Sequence, residues 1–532
     1  MLQFSMSEEK IEKDTHFLIP FEEPINLFFL RLPENEFSEY LKEAHDLVFR
    51  YPEILTSIDA DLDKRAKYKK KLRLLDQQWE LSKTKKLPGM AMNSKIALGE
   101  INEEELELKE GCPRMDAYLV YMFMMMRGFL GGIKTSELKL FFSESKTIEI
   151  FLKSCNESKR PGFSTISENL NAVSNYTREL IFDYQILMIA DEGLDDFKEL
   201  TIDSTSVKGN SAWPTDSGLL TGLVMRLYHR GKKLHKFGIR EIADRRFPNI
   251  IKNMKNLSKK ISFSVNKPKS KIKLKRLYRQ LIKEARSAHK LFLSELNKVK
   301  QSFLEVEGNI APSREMRLKR LMELIEVDVD SLLKVMGYCS RRINQSETTE
   351  SKDKVLSLSD NSVGFIKKGD REAVIGYKPQ LGRSKKGFIA AFKLPQGNGS
   401  DSGQFLEVCR DDIRRTMVIP GKISTDDGYT NKRARAELLE MGVKVVSISG
   451  SKGKRIISPE DWENEEYVKA RNDRSAVESL MFTIKYGFDF GFVMRRGIEN
   501  VRAELLEKVI AYNFCRIILL KSKLKYPLEL AA

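Results

Sequence analysis

The sequence predicts a mixed α/β sheet, interrupted after its first strand by a long basic helical insertion and preceded by an all-helical N-terminal region. Three observations predict it. "ELTIDSTS" (199–206) is short and β-rich between two stretches of helical texture. From about 217 to 345 the helical spacing returns and carries most of the chain's positive charge. Beyond 372 the pattern runs hairpin, helix, strand, helix, strand, helix, which with the first strand completes one sheet.

Each element has its reason. Residues 36–85 are rich in Glu, Leu, Lys and Arg at helical spacing, and "LPGMAMNSK" follows as a loop. A second helical block covers about 112–192, with Thr135 and Ser164 placed as N-caps. "AYLVYMFMMM" (117–126) is ten apolar residues between Arg114 and Arg127, too short to span a bilayer and suited to a buried helix. "RPGFSTISENLNAV" (160–173) reads as breaker, cap and short helix, compatible with a helix-turn-helix or with a plain bundle. "EAVIGYKPQL" (372–381) and "GFIAAFKLP" (387–395) read as a hairpin joined by "GRSKK". "GNGSD" (397–401) turns into a helix through about 415, and "TMVIPGKISTDDGYTN" is a strand running into a polar turn. "NKRARAELLEMG" is a helix ending at Gly442, "VKVVSIS" (443–449) a strand, and a basic loop and an acidic segment lead to a last amphipathic helix. The predicted divisions are 1–111, helical; 112–195, helical and possible DNA-binding; 196–216 with 346–500, the sheet; 217–345, the insertion; and 501–532, a C-terminal helix.

Composition narrows the function. The 532 residues carry a formal charge of +17, and a protein this basic meets a polyanion. Residues 251–300 hold sixteen Lys/Arg against Glu284 and Glu295, so +14 of that excess sits in fifty residues. "SKKISFSVNKPKSKIKLKRLYRQLIKEAR" interleaves those cations with Ile, Leu, Phe and Tyr. As a helix it packs one side and offers Lys271, Lys273, Lys275, Arg276 and Arg279 to phosphates. It lacks the Trp/Phe face of a membrane-surface helix. Five dispersed cysteines argue against a disulfide framework and a zinc site. The N-terminus has no secretory layout, so the expectation is a soluble, cytoplasmic protein without membrane or small-molecule substrate.

Three carboxylate positions stand where an α/β sheet places its chemistry. Asp203 ends the first strand, Asp426 and Asp427 end a later one, and Glu478 lies on the helix after the last. Such a cluster without His or Cys is a hard-oxygen site for Mg²⁺ or Mn²⁺. Two ions there would activate an attacking oxygen and stabilise the leaving oxygen of a phosphodiester. An Asp at a strand end also caps turns. On the last helix, Arg474 precedes Glu478 by four residues and Lys485 follows by seven, a narrow arc at ~100° per residue. Taken alone, that row is a solvated charged stripe.

From about 112 to 520 the sequence resembles an insertion-sequence transposase of the DDE class. "PGFSTIS", "LTIDSTSV", "PTDSGLL", "VIGYKPQL", "GFIAAFKLP", "GNGSD" and "TDDGYTN" carry the likeness, in that order. Arg474, three residues, Glu478, six residues and Lys485 keep the spacing of the class signature Tyr-(2)-Arg-(3)-Glu-(6)-Lys, while Arg471 stands at its Tyr position.

The resemblance implies an RNase H-like catalytic domain in which Asp203, Asp426 and Glu478 hold two Mg²⁺ ions, with Mn²⁺ as a substitute. Asp427 fills the variable position, and Asp216 is as well explained by helix capping. Arg474 and Lys485 would bind DNA phosphates. The implied activity is metal-dependent hydrolysis at the ends of a mobile element, then strand transfer of the freed 3′-hydroxyl into target DNA. The implied assembly is a homodimer on paired ends. Two other readings stay open: a metal-dependent DNA nuclease without strand transfer, and a catalytically silent, transposase-derived DNA-binding protein.

Overall fold

The computed structural model describes residues 28–29, 32, 34–84, 115–155, 161–239, 242, 245–265, 270–306, 309–367 and 372–525. Its helices are α1 (Glu36–Arg50), α2 (Glu53–Thr84), α3 (Ala117–Phe129), α4 (Thr135–Glu144), α5 (Lys146–Ser154), α6 (Phe163–Leu170) and α7 (Asn175–Asp191). Strands β1 (Glu199–Ser204) and β2 (Val207–Lys208) precede α8 (Asp216–Lys233), α9 (Arg246–Ser262), α10 (Lys271–Val306) and α11 (Pro312–Gln345). Then come β3 (Gly364–Ile366), β4 (Val374–Tyr377), β5 (Gln380–Ser384), β6 (Ile389–Lys393), α12 (Asp401–Thr416) and β7 (Lys422–Thr425). After a 3-10 turn at Asp427–Tyr429 follow α13 (Lys432–Glu440), β8 (Val445–Ile448), α14 (Ser451–Ile456), α15 (Pro459–Glu463), α16 (Glu465–Asp473), α17 (Ala476–Gly487) and α18 (Ile498–Lys525).

Local chemistry explains several boundaries. Asn35, Ser145, Ser174 and Ser400 cap α1, α5, α7 and α12 through their side-chain oxygens. Thr135 and Ser164 are not caps. Lys134 and Gly162 hold the extended backbone that precedes a helix, so Thr135 is the first residue of α4 and Ser164 lies inside α6. The stretch "VIGYKPQL" is two strands, because Pro379 has no N–H to continue a ladder. β4 and β5 consequently enter different sheets, and the hairpin turn falls at 385–388 instead of across all of "GRSKK". "SKGKRI", expected as a loop, forms α14.

The chain divides into two compact units, one of Met1–Lys64, Pro113–Asn210 and Ser362–Ala532, the other of Arg65–Cys112 and Ser211–Asn361. In the second, α8 to α11 pack around Leu220, Leu223, Phe247, Leu281, Phe292 and Leu332. Buried Asp328 on α11 receives the guanidinium groups of Arg226 and Arg230 from α8. Helix α10 is amphipathic in the manner its sequence requires. Leu277, Leu281, Ala285, Ala288 and Phe292 are buried, while Lys271, Lys273, Lys275, Arg276 and Arg279 are exposed.

The first unit holds a five-stranded sheet in the order β6-β5-β1-β7-β8 and a three-stranded sheet in the order β2-β4-β3. β1 runs parallel to β7 and antiparallel to β5, and β7 runs parallel to β8. Leu200, Ile202, Ile423, Val446 and Ile448 on the strands bury against Phe405, Val408, Leu438 and Trp462. β2 and β4 approach so closely that a Cβ on Gly376 would lie 1.9 Å from the Val207 carbonyl oxygen, so that position requires glycine. Helix α3, the apolar run of the sequence, is buried along its length and packs on α1 and α18. No described helix is long and apolar enough to cross a membrane.

Candidate active site

Strand register builds the site. Glu199, Leu200 and Thr201 of β1 pair with Lys422, Ile423 and Ser424 of β7. Two residues further along both parallel strands, the same offset brings Asp203 level with Asp426, at the C-terminal rim of the sheet. Neighbouring strands lie ~4.8 Å apart, so the two carboxylates are neighbours. Asp426 keeps an extended backbone (φ −85°, ψ 176°) and caps the 3-10 turn, its Oδ1 accepting the Gly428 N–H at 2.9 Å. Asp203 Oδ1 accepts the Ser204 N–H at 2.6 Å. Both side chains are partly exposed.

Asp427 does something different. Its Oδ1 accepts the backbone N–H groups of Lys452 (2.8 Å) and Gly453 (2.9 Å), so it caps α14. Of the two adjacent aspartates, Asp426 is therefore the one beside Asp203.

Behind this rim runs a buried polar chain. Tyr429 donates its hydroxyl to Gln380 Oε1, Gln380 Nε2 donates to Asp401 Oδ1 at 2.9 Å, and Lys378 Nζ donates to Asp401 Oδ2 at 2.8 Å. Burial alone would raise the Asp401 carboxyl, but the bonds from Lys378 and Gln380 and the Lys378 charge hold its pKa below the ordinary value. Burial, reinforced by the charges of Asp401, Asp203 and Asp426, pushes the Tyr429 phenol well above its usual range. The sequence offered "YKPQ", "GNGSD" and "DGY" as separate strand, turn and turn. Their joint purpose needed the fold, because Lys378, Asp401 and Tyr429 meet only when β5, α12 and the turn after β7 come together.

Gly428 sits between the carboxylates: a Cβ there would lie 3.0 Å from Asp426 Oδ1 and 3.2 Å from Asp401 Oδ2. Gly428→Ala should therefore displace Asp426 by a few tenths of an ångström and lower any phosphodiester cleavage roughly ten- to a hundredfold. Gly428 itself is exposed, so the melting temperature should stay within about 3 °C of wild type. Parallel single-turnover assays and thermal melts check this; an unfolded variant, or full activity, would overturn it.

Glu478 lies in the first turn of α17, which packs against β1. Its side chain is 66% exposed and pairs with Arg474 at 3.2 Å. Arg474 is the C-cap of α16 and not part of α17, yet it keeps that contact. Lys485 lies two turns further along and is partly exposed. Phe482 and Tyr486, passed over in the sequence, stand 66% and 76% exposed on the same helix, with ring centroids 4.6 Å apart. Arg471, at the signature's Tyr position, lies over the Trp462 ring at 4.5 Å. Asp216 is the first residue of α8, after the cap Thr215, and pairs with Arg342 at 2.6 Å.

Asp203 and Asp426 suit a hard divalent cation: two adjacent carboxylates on a sheet rim, without His or Cys. Glu478 does not complete a set with them in this conformation. Among the described residues, no three Asp, Glu, His or Cys side chains gather closely enough to share an ion.

Residues 347–514 match the family model described as "Transposase DDE domain". That span contains β3 to β8, Asp426, Arg474, Glu478 and Lys485, while Asp203 lies ahead of it. No curated protein and no solved structure matches the chain.

Proposed function

Because residues 347–514 match a transposase DDE domain, we propose that the chain is a DDE-class transposase that cuts DNA at the ends of an insertion sequence and joins them to target DNA. One observation supports the reading: the parallel β1–β7 register, which continued by two residues carries Asp203 level with Asp426. The strand order β6-β5-β1-β7-β8, with two antiparallel and two parallel neighbour pairs, supports an RNase H-like sheet.

Transposases of this class use divalent metal ions. Asp203 and Asp426 would hold the ion or ions, and Glu478 would join them by leaving its Arg474 partner, on a helix that packs on β1. Bound Mg²⁺ or Mn²⁺ would supply charge neutralisation at the scissile phosphate and lower the pKa of the attacking hydroxyl group. The protein's own share is placement. The Gly428 and Ser204 N–H groups fix the orientation of Asp426 and Asp203, while Arg474, once released by Glu478, can fork onto a phosphate. In the first step a water oxygen attacks phosphorus and the P–O3′ bond breaks, leaving a 3′-hydroxyl and a 5′-phosphate. In the second, that 3′-hydroxyl attacks a target phosphodiester in line, forming a new P–O3′ bond as the target's own P–O3′ bond breaks and leaves a target 3′-hydroxyl. Neither step needs a covalent enzyme intermediate.

The exposed cations of α10 give the same protein a sequence-independent hold on DNA. Changing Lys271, Lys273 and Lys275 together to Gln should flatten the log K against log[salt] plot by about 2 to 3. An unchanged slope in anisotropy titrations would reduce this helix to a solubilising face.

The deciding experiment compares wild type with Glu478→Gln on DNA carrying the element's ends, with Mg²⁺ or Mn²⁺ and then with EDTA. Metal-dependent cutting and joining, both lost in the variant while DNA binding persists, is the expected result. Cutting without joining would make the protein a nuclease. Activity surviving in Glu478→Gln would remove Glu478 from the site, and absence of any activity in wild type would leave a DNA-binding protein.

A further inference from the structure

A second basic site lies in the first unit, away from the carboxylates. The C-terminal end of α3, the start of α4 and the 494–500 loop enclose a cavity of about 540 Å³. Arg127, Lys134, Arg495, Arg496, Asn171 and Asn500 contribute to its lining, and no carboxylate does.

The charge behind the wall is unbalanced. Arg127, Arg178 and Arg495 converge on the one carboxylate of Glu507, at 2.6, 2.9 and 3.6 Å. Arg127 is 3% exposed, and its Nε and Nη2 both donate to Glu507. Arg127 also lines the cavity, so the guanidinium held by Glu507 reaches its wall. Glu504 spends its oxygens on the Met494 and Arg495 N–H groups and on Lys508. Glu137 pairs with Lys134 at the exposed rim. The Arg127 guanidinium, Lys134, two further arginines and two amides thus line a space that a phosphate-sized anion fits.

The cavity is also tied to the sheet rim. The Lys208 N–H bonds to the Gly491 carbonyl and the Val493 N–H to the Lys208 carbonyl, at 2.8 and 3.0 Å. Asn210 donates to the Met494 carbonyl at 2.6 Å, and Arg496 Nε donates to the Asn210 carbonyl at 2.9 Å. The loop bearing Arg495 and Arg496 is therefore anchored on the segment that follows Asp203. Seven residues of extended chain from Asp203 to Asn210 reach at most about 25 Å. At 3.4 Å per nucleotide, that is about seven nucleotides along one strand.

We propose that this cavity is a phosphate site that grips the DNA backbone within about seven nucleotides of the cleaved bond. The inference rests on the transposase reading and adds to it a second point of contact, which sets where along the strand the carboxylates act. Arg495 and Arg496 supply the exchangeable cations, and buried Arg127 supplies a preorganised donor that pays no conformational entropy on binding.

The test uses the full chain, with Arg495→Gln/Arg496→Gln and the milder Arg496→Gln, whose guanidinium bonds only Asn210 among the described residues. Affinity for a fluorescent duplex is measured across a KCl series, and melting temperature is measured with and without millimolar inorganic phosphate. The expected result is a salt slope shallower by about 1, roughly tenfold weaker binding near 0.15 M salt, and recovery of the slope in Arg496→Lys. Slopes equal to wild type in both variants overturn the proposal and leave the transposase reading standing. Stabilisation of wild type by phosphate that disappears in the variants, with DNA slopes unchanged, would make the occupant a free phosphate and likewise overturn it. A wild type that binds no duplex would sink both this site and the reading on which it rests.

Discussion

Asp426→Asn should lower metal-dependent cleavage by at least ~10³-fold while leaving the protein folded and able to bind DNA. Asparagine keeps the side-chain oxygen that accepts the Gly428 N–H, so the turn after β7 survives, and the change removes one charge next to Asp203. The informative control is the adjacent residue. Asp427→Asn keeps an oxygen for the Lys452 and Gly453 N–H groups and weakens a helix cap, which should cost about 1 kcal/mol and much less than tenfold in rate. Single-turnover cleavage and urea melts on both variants check the pair. A larger rate loss at Asp427 than at Asp426 would exchange their assignments.

The second large effect is on stability. Glu507 is completely buried between Arg127 and Arg178, with Arg495 alongside. Glu507→Gln leaves those guanidinium groups without their counter-charge and should destabilise the first unit by about 3–5 kcal/mol at pH 7. Burial would raise the Glu507 carboxyl, yet the three arginines outweigh it and hold its pKa down to about 2 from an ordinary 4.5. A depressed carboxyl pKa contributes stability that is complete above the unfolded value and lost as pH falls through the folded one. Wild type should therefore lose this contribution between about pH 4.5 and pH 2, and the gap to Glu507→Gln should narrow by about 2 kcal/mol at pH 3. Urea melts at pH 7 and pH 3 decide it; a pH-independent gap would mean the charge of Glu507 is not what matters.

The sheet was legible in the sequence because its signals are local. β-rich runs, Gly442 after α13 and the alternation of strand and helix survive without tertiary information. The placement of Asp203 and Asp426 at strand ends was legible for a related reason, since strand ends are recognisable. What depended on partners was not. Nothing in "TDDG" distinguishes the aspartate that faces Asp203 from the one that caps α14, since the difference is whether the Lys452 amide lies within reach. The row through Arg474, Glu478 and Lys485 was read as one helix, but Arg474 ends the helix before and only Glu478 and Lys485 lie on α17, a break that the spacing of charges does not reveal. The arginines around Glu507 were invisible because they come from α3, α7 and the loop before α18, far apart in the chain.

Asp203 and Asp426 stand at the ends of adjacent parallel strands although the whole of Ser211–Asn361 lies between them in the chain. A ribosome adding ~5–20 residues per second leaves β1 without its parallel neighbour for tens of seconds. During that interval Asp203 has no second carboxylate, while the basic helix α10 has already been made. On the proposed function, a nascent or prematurely terminated chain would hold DNA without cutting it, and strand order alone would defer cleavage until β7 is synthesised and seated.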